Sequence, residues 1–165
     1  MMKKILTLLL IAFSIPQAQE GVAFLINLVL NNRVSFSYSV SSQDGSKLRM
    51  EGTAVIDGDC YRTNGNGLEI YCDGKTKWTV DRAAKELYIE ESEGTREYLE
   101  KVGALEQSFK YLKIGESSVS GTYISGDSYS FSMTSIVSSP LSGSTEGFSF
   151  DTSALGGDWV ITDLR

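Results

Sequence analysis

The sequence predicts a mainly β domain with helices, built on a single, strongly curved antiparallel sheet that forms an incomplete barrel capped by α-helices. Three observations predict it. Strand-length runs recur along most of the chain, each bounded by Gly, Asn or Asp turn signals. Two of them carry serine along one whole face: Val34, Phe36, Tyr38 and Val40 alternate with Ser35, Ser37, Ser39 and Ser41, and Tyr129, Phe131 and Met133 alternate with Ser128, Ser130 and Ser132. A serine face is seldom core, so the sheet keeps one side wet and needs a cover on the other. Two amphipathic helical segments are the available covers.

The elements follow in chain order. Lys3 and Lys4, the apolar run Ile5 to Ile15 and the stretch Pro16-Gln17-Ala18-Gln19 have the layout of a secretory signal peptide. The apolar run is short of the roughly 20 residues a membrane span requires. Cleavage is expected near Ala18, leaving residues 19–165 as one exported domain, with 1–18 as the signal. Glu20 to Asn32 repeats Val22, Leu25, Ile26, Val29 and Leu30 at helical spacing. Strands are expected at Arg33–Ser41, Lys47–Ile56, Asp59–Thr63, Leu68–Cys72, Lys77–Val80 and Glu86–Glu90. A helix over 95–110 then places Tyr98, Leu99, Val102, Leu105 and Phe109 on one side and Glu97, Glu100, Lys101 and Gln107 on the other. Strands resume at Ser118–Ile124 and Tyr129–Ser135. The loop "SSPLSGSTEG" leads to Phe148-Ser149-Phe150 and a last strand at Trp159–Leu164.

Composition narrows the function. The chain has 21 acidic and 15 basic residues for a net charge of −6, and loss of Lys3 and Lys4 with the signal takes it to −8. Nucleic acid and anionic lipid surfaces are poor partners for such a charge. Histidine is absent, which removes the commonest general base and the commonest metal ligand together. No G-x-S-x-G elbow accompanies the many serines. Asp57, Asp59 and Asp73, and Glu90, Glu91 and Glu93, fall at expected turns and strand ends, where structural roles are the rule. No enzyme, cofactor or metal is expected. Cys60 and Cys72 flank a hairpin; a three-residue loop at Gly65-Asn66-Gly67 would set them opposite each other, so export makes a disulfide the expectation and two small buried thiols the alternative.

The expected inner face carries Val34, Phe36, Tyr38, Val40, Met50, Trp78, Val80, Leu87, Ile89, Tyr129, Phe131 and Met133. A lid of Leu25 and Val29 from the first helix and Tyr98, Leu99, Val102, Leu105 and Phe109 from the second would close over it. Periodicity leaves open whether this is a filled core or an adaptable apolar cavity, since aromatic and methionine side chains serve in both.

The stretch "MEGTAVIDGDCYRTNGNGLEIYCDGKTKWTVDRAAKELYIEE" resembles the signature region of the LolA-like family of periplasmic outer-membrane lipoprotein carriers. Gly52 stands at the family's glycine strand, Asp73-Gly74-Lys75 and Trp78 at its D-G-K-x-x-W hairpin, and Asp81 at the following turn; Phe148, Phe150 and Val160 to Leu164 resemble its closing segment. The resemblance implies a half-open barrel with helices as a lid, binding lipoprotein acyl chains in a hydrophobic cavity and shuttling them from inner to outer membrane without nucleotide or metal. It further implies a monomer in the periplasm that meets an inner-membrane lipoprotein-release complex and an outer-membrane acceptor. Where proteobacterial carriers place an Arg-Pro pair that ties down the lid, this chain has Gly58-Asp59, so no functional arginine is carried over. The competing reading is an envelope regulatory or sensory protein-interaction module on the same fold that transports no lipid; a plain interaction protein with a permanently packed apolar face is a third.

Overall fold

A computed structural model describes residues 17–42, 44, 46–97, 99, 109–125 and 127–165. The expected signal segment through Pro16 and the expected lid positions Tyr98, Val102 and Leu105 lie outside these residues. The described chain opens with helix α1 (Gln17–Asn31), so cleavage near Ala18 would fall in its first turn. The helix stops where Asn31 and Asn32 donate their side-chain amides to the carbonyls of Asn27 and Leu28, at 2.8 and 3.0 Å, satisfying last-turn acceptors that have no helical partner. Among the described residues no helix is long and apolar enough to cross a membrane.

Ten strands follow: β1 (Arg33–Ser42), β2 (Leu48–Asp57), β3 (Cys60–Gly65), β4 (Leu68–Cys72), β5 (Thr76–Asp81), β6 (Glu86–Glu91), β7 (Phe109–Ile114), β8 (Val119–Ser125), β9 (Asp127–Ser139) and β10 (Val160–Asp163). They form one sheet in the order β10-β6-β5-β4-β3-β2-β1-β9-β8-β7, with β10 and β7 as its edges, so the sheet does not close into a barrel. It is mixed rather than wholly antiparallel, because β10 runs parallel to β6. The last strand reaches β6 through the long return from β9, and that route lets it enter in the same direction as its neighbour. The segment expected to end the second helix also differs: helical backbone is present at 95–97 and 99, but Phe109 begins β7. Phe109, Leu112 and Ile114 lie on an edge strand bulged at Tyr111, where φ is +54°. An edge strand broken by a bulge loses the strict alternation that would have announced it.

Register fixes which side chains share a face, since residues paired across a ladder point to the same side. Val34 pairs with Ile56, Ile56 with Tyr61, Tyr61 with Cys72, Cys72 with Lys77 and Lys77 with Glu90. Tyr38 pairs with Met133, and Met133 with Val119. One face therefore carries Val34, Phe36, Tyr38, Val40, Met50, Tyr129, Phe131 and Met133. The other carries Tyr71, Trp78, Val80, Leu87 and Ile89.

Each face has its own core. On the first, α1 packs chiefly against β7 and marginally against β1; Val22, Leu112 and Val119 are buried together, with Leu25, Ile26, Phe131, Met133 and Ile136 around them. On the second, Tyr71, Val80, Leu87 and Ile89 are covered by Phe150, Leu155 and Trp159 of the closing segment. We call these the helix face and the closing face.

Candidate functional site

The helix face is where an apolar ligand could lie. Along β1 the burial falls away from one end to the other. Val34 is fully buried, whereas Phe36, Tyr38 and Val40 are only partly covered, as are Tyr129, Phe131 and Met133 on β9; Met50 is 42 % exposed. Phe36 and Tyr38 meet edge to face with ring centroids 6.5 Å apart. Tyr38 lies over the glycine pair of the next two strands, its hydroxyl 2.7 Å from where a Cβ on either Gly52 or Gly65 would stand. These residues make a continuous, partly open apolar strip across β9, β1 and the start of β2. Of the residues expected to form a lid, Leu25 packs at its β7–β9 side, Val29 is half-buried, and Leu99 lines a small cavity beside the β2–β3 turn.

The expectation of one inner face is corrected at four residues. Trp78, Val80, Leu87 and Ile89 lie on the closing face, packed under Phe150, Leu155 and Trp159. The reason is a single turn. Gly65 pairs with Leu68, and Asn66 and Gly67 have φ of +53° and +80°, a two-residue type I′ turn of the kind Asn-Gly favours. A loop one residue shorter than expected flips every later side chain to the opposite face. The same slip undoes the proposed cysteine pair: Cys72 faces Tyr61 rather than Cys60, and both thiols are free and buried. Burial, then the nearby Cys72 and the carboxylates of Asp73, Asp57 and Asp59, push the Cys60 thiol up, so it offers no reactive thiolate.

Asp73 and Glu90 have structural partners. Asp73 accepts the backbone N–H groups of Lys75 and Thr76, at 3.0 and 2.8 Å, the Asx geometry of a tight turn. Glu90 pairs with Lys77 at 3.0 Å, while Glu91 and Glu93 border a wide polar cleft with Lys75, Asp163 and Arg165. Among the described residues no cluster of three or more His, Cys, Asp or Glu side chains could hold a metal ion.

Asp57 is the one sequence reasoning underrated. It is 5 % exposed and accepts from Arg33 Nη1 at 2.9 Å, the Ser142 backbone N–H at 3.1 Å and the Ser142 hydroxyl at 2.5 Å, thereby tying the β9–β10 connection to the end of β2. Burial works to raise its pKa, but the two Ser142 bonds and Arg33 outweigh it and hold the carboxyl below its ordinary value. A depressed native pKa contributes stability that is present above the unfolded-state value of about 3.9 and is lost as pH falls through the native one. The urea midpoint of the wild type should therefore exceed that of Asp57→Asn by a constant margin from pH 7 to 5, equivalent to about 2 kcal/mol. The margin should close below about pH 4. A pH-independent margin would show that the charge contributes nothing.

No protein-family model matches this chain, and no curated protein matches it significantly.

Proposed function

We propose that this protein is a periplasmic carrier that shelters the acyl chains of lipoproteins on the helix face, on a sheet curved into a half-open barrel with α1 and the helix starting at Thr95 as its lid. One observation carries the reading: Phe36, Tyr38, Val40, Met50, Tyr129, Phe131 and Met133 form a contiguous apolar strip left partly open, on a sheet that among the described residues ends at β10 and β7 without closing. Binding sites are lined predominantly by apolar and aromatic side chains with part of their surface open, which is the character of this strip. Removing each methylene of a chain from water is worth about 0.8 kcal/mol, so a strip and a weakly held lid suffice for capture and release without nucleotide or metal. The basic and apolar N-terminal segment supports export, and the inner-membrane release complex and outer-membrane acceptor of the carriers it resembles are the corresponding partners.

The test is titration of the protein, purified from a periplasm, with a fluorescent acyl probe, alongside native mass spectrometry for co-purified lipid. Wild type should take up the probe. Phe36→Glu, which puts a charge on the open part of the strip, should weaken uptake at least about tenfold, the effect of 1.4 kcal/mol, with its circular dichroism and melting curve retained. A wild type that is empty and excludes the probe would sink the carrier reading and leave the strip as incompletely packed core.

A further inference from the structure

We propose that β10 pairs, antiparallel and about a two-fold axis at Thr162, with the β10 of a second copy of this chain. Of the two edges of the sheet, one is blunted and the other is not. β7 is bulged at Tyr111, where φ is +54°, and it carries exposed Lys110 and Lys113; bulges and edge lysines keep a strand from pairing with another chain. Val160–Asp163 has neither. The ladder fixes which way its backbone points. The N–H groups of Val160 and Leu164 donate to the carbonyls of Lys85 and Ile89, each at 2.9 Å, so the even-numbered residues turn their backbone groups to β6. Ile161 and Asp163 turn theirs to the open side, where among the described residues no strand meets them. The side chains share this openness: Val160 is 60 %, Ile161 49 % and Leu164 62 % exposed. Exposed apolar side chains beside unpaired edge groups are a template for another strand.

The spacing says which strand. Pairing two β10 strands through their outward groups allows Ile161 opposite itself, Asp163 opposite itself, or Ile161 opposite Asp163. The first sets Leu164 against the partner's Asp158, and the second sets the two Asp163 carboxylates against each other. The third puts Val160 opposite the partner's Leu164 on both sides of the axis, with the two Thr162 side chains between them. Tyr88, which pairs with Thr162 and is 38 % exposed, lies beside them on the same face. Val160 and Leu164 are thus equidistant from Thr162, the self-complementarity that a two-fold contact requires. A strand of another protein would need its own apolar pair at this spacing; a second copy has it by construction. Charge does not oppose the contact, because Asp158 and Asp163 are already paired with Lys85 and Arg165. Two such short stretches bury less than the roughly 1,200 Å² of a standard interface, so the association is weak, in the micromolar to millimolar range. It replaces the monomer that the resemblance implies and does not depend on the carrier reading, since β6, β5, β4 and β3 separate β10 from β2 and the strip on β1 and β9 stays uncovered.

Sedimentation velocity of the full exported chain from micromolar to millimolar concentration should show a monomer–dimer equilibrium. Ile161→Pro removes an outward N–H and no bond to β6, a place where an edge strand accepts proline, and Val160→Lys puts a charge into the apolar pair. Each should weaken dimerisation at least about tenfold and leave acyl-probe uptake unchanged, and Val160→Lys should melt like wild type at low concentration. Tyr111→Lys on the opposite edge should leave the dimer intact. The register has its own readout. Thr162→Cys should form an intermolecular disulfide under mild oxidation, because Cα atoms of a non-hydrogen-bonded pair stand about 4.5 Å apart, whereas Ile161→Cys should not; Cys60 and Cys72 are buried and stay out of the reaction. A chain that is monomeric throughout, a dimer that survives both Ile161→Pro and Val160→Lys, or a cross-link at Ile161→Cys without one at Thr162→Cys would overturn the proposal and leave the carrier reading standing.

Discussion

Leu87→Ala is expected to cost about 3 kcal/mol of folding stability while leaving acyl-probe uptake by the folded protein unchanged. Leu87 is fully buried among Tyr71, Val80 and Ile89, under Phe150, Leu155 and Trp159. Truncating it removes three heavy atoms from a packed cluster that has a sheet on one side and an ordered loop on the other, so collapse around the void will be incomplete and the cavity term will add to the transfer term. The closing segment has several other ties: Phe148 is buried beneath the Arg33 guanidinium, which lies 5.5 Å from its ring centroid, and Arg82 lies over Phe150. These contacts hold the segment over the void, so it cannot sink in to fill it. Denaturant midpoints measure the cost, and probe titration below the transition measures uptake. Uptake lost at unchanged stability would put Leu87 back on the ligand-binding face and refute the division into two faces.

That division is where the sequence could be read and misread at once. Element positions were largely legible, because each strand advertises itself: Leu68–Cys72 matches its expected bounds, and β1, β5 and β6 extend theirs by no more than a residue at either end. Alternation is a local property and survives any error elsewhere. Facing is a cumulative property. From Val34 to Leu87 the parity passes through every intervening turn, and one residue too many at Asn66-Gly67 reverses Trp78, Val80, Leu87 and Ile89, although the only trace in the strand bounds beside it is that β3 ends at Gly65 rather than Thr63. The remedy was in the sequence, since Asn-Gly is the strongest two-residue hairpin signal and should have outweighed the third residue supplied by Gly65.

Other parts of the site depend on encounters that no local pattern reports. Asp57 and Ser142 are 85 residues apart, and a serine in a Ser/Gly-rich loop looks like any linker residue until its partner is known. The resemblance to lipoprotein carriers drew on Asp73-Gly74-Lys75 and Trp78, yet here that hairpin shapes a turn and supports the closing segment. Its apolar residues pack under that segment, and the strip on β1 and β9 is the part of the expected inner face that stays partly open.

Gly52 joins the two roles, and Gly52→Ala is expected to cost about 3 kcal/mol, the upper end of what overpacking does. A Cβ there would stand 2.2 Å from the Asn64 carbonyl oxygen, 2.8 Å from the Gly65 Cα and 2.7 Å from the Tyr38 hydroxyl. The hydroxyl could swing away, but the first two are backbone atoms of the neighbouring strand, so β2 and β3 would have to part at this point of their ladder. Glycine is tolerated in a strand interior despite its entropy cost where another group must come this close. Here the gain is that Tyr38 can lie flat across two strands and present its ring as part of the apolar strip. Tyr38→Leu removes the movable clash and leaves the Asn64 contact, so the double variant Gly52→Ala, Tyr38→Leu should be no more stable than Gly52→Ala. Hydrogen exchange should show the loss concentrated in the β2–β3 amides around Thr53 and Asn64. Rescue by Tyr38→Leu would mean that the tyrosine, and not the approach of the two backbones, is what requires glycine at this position.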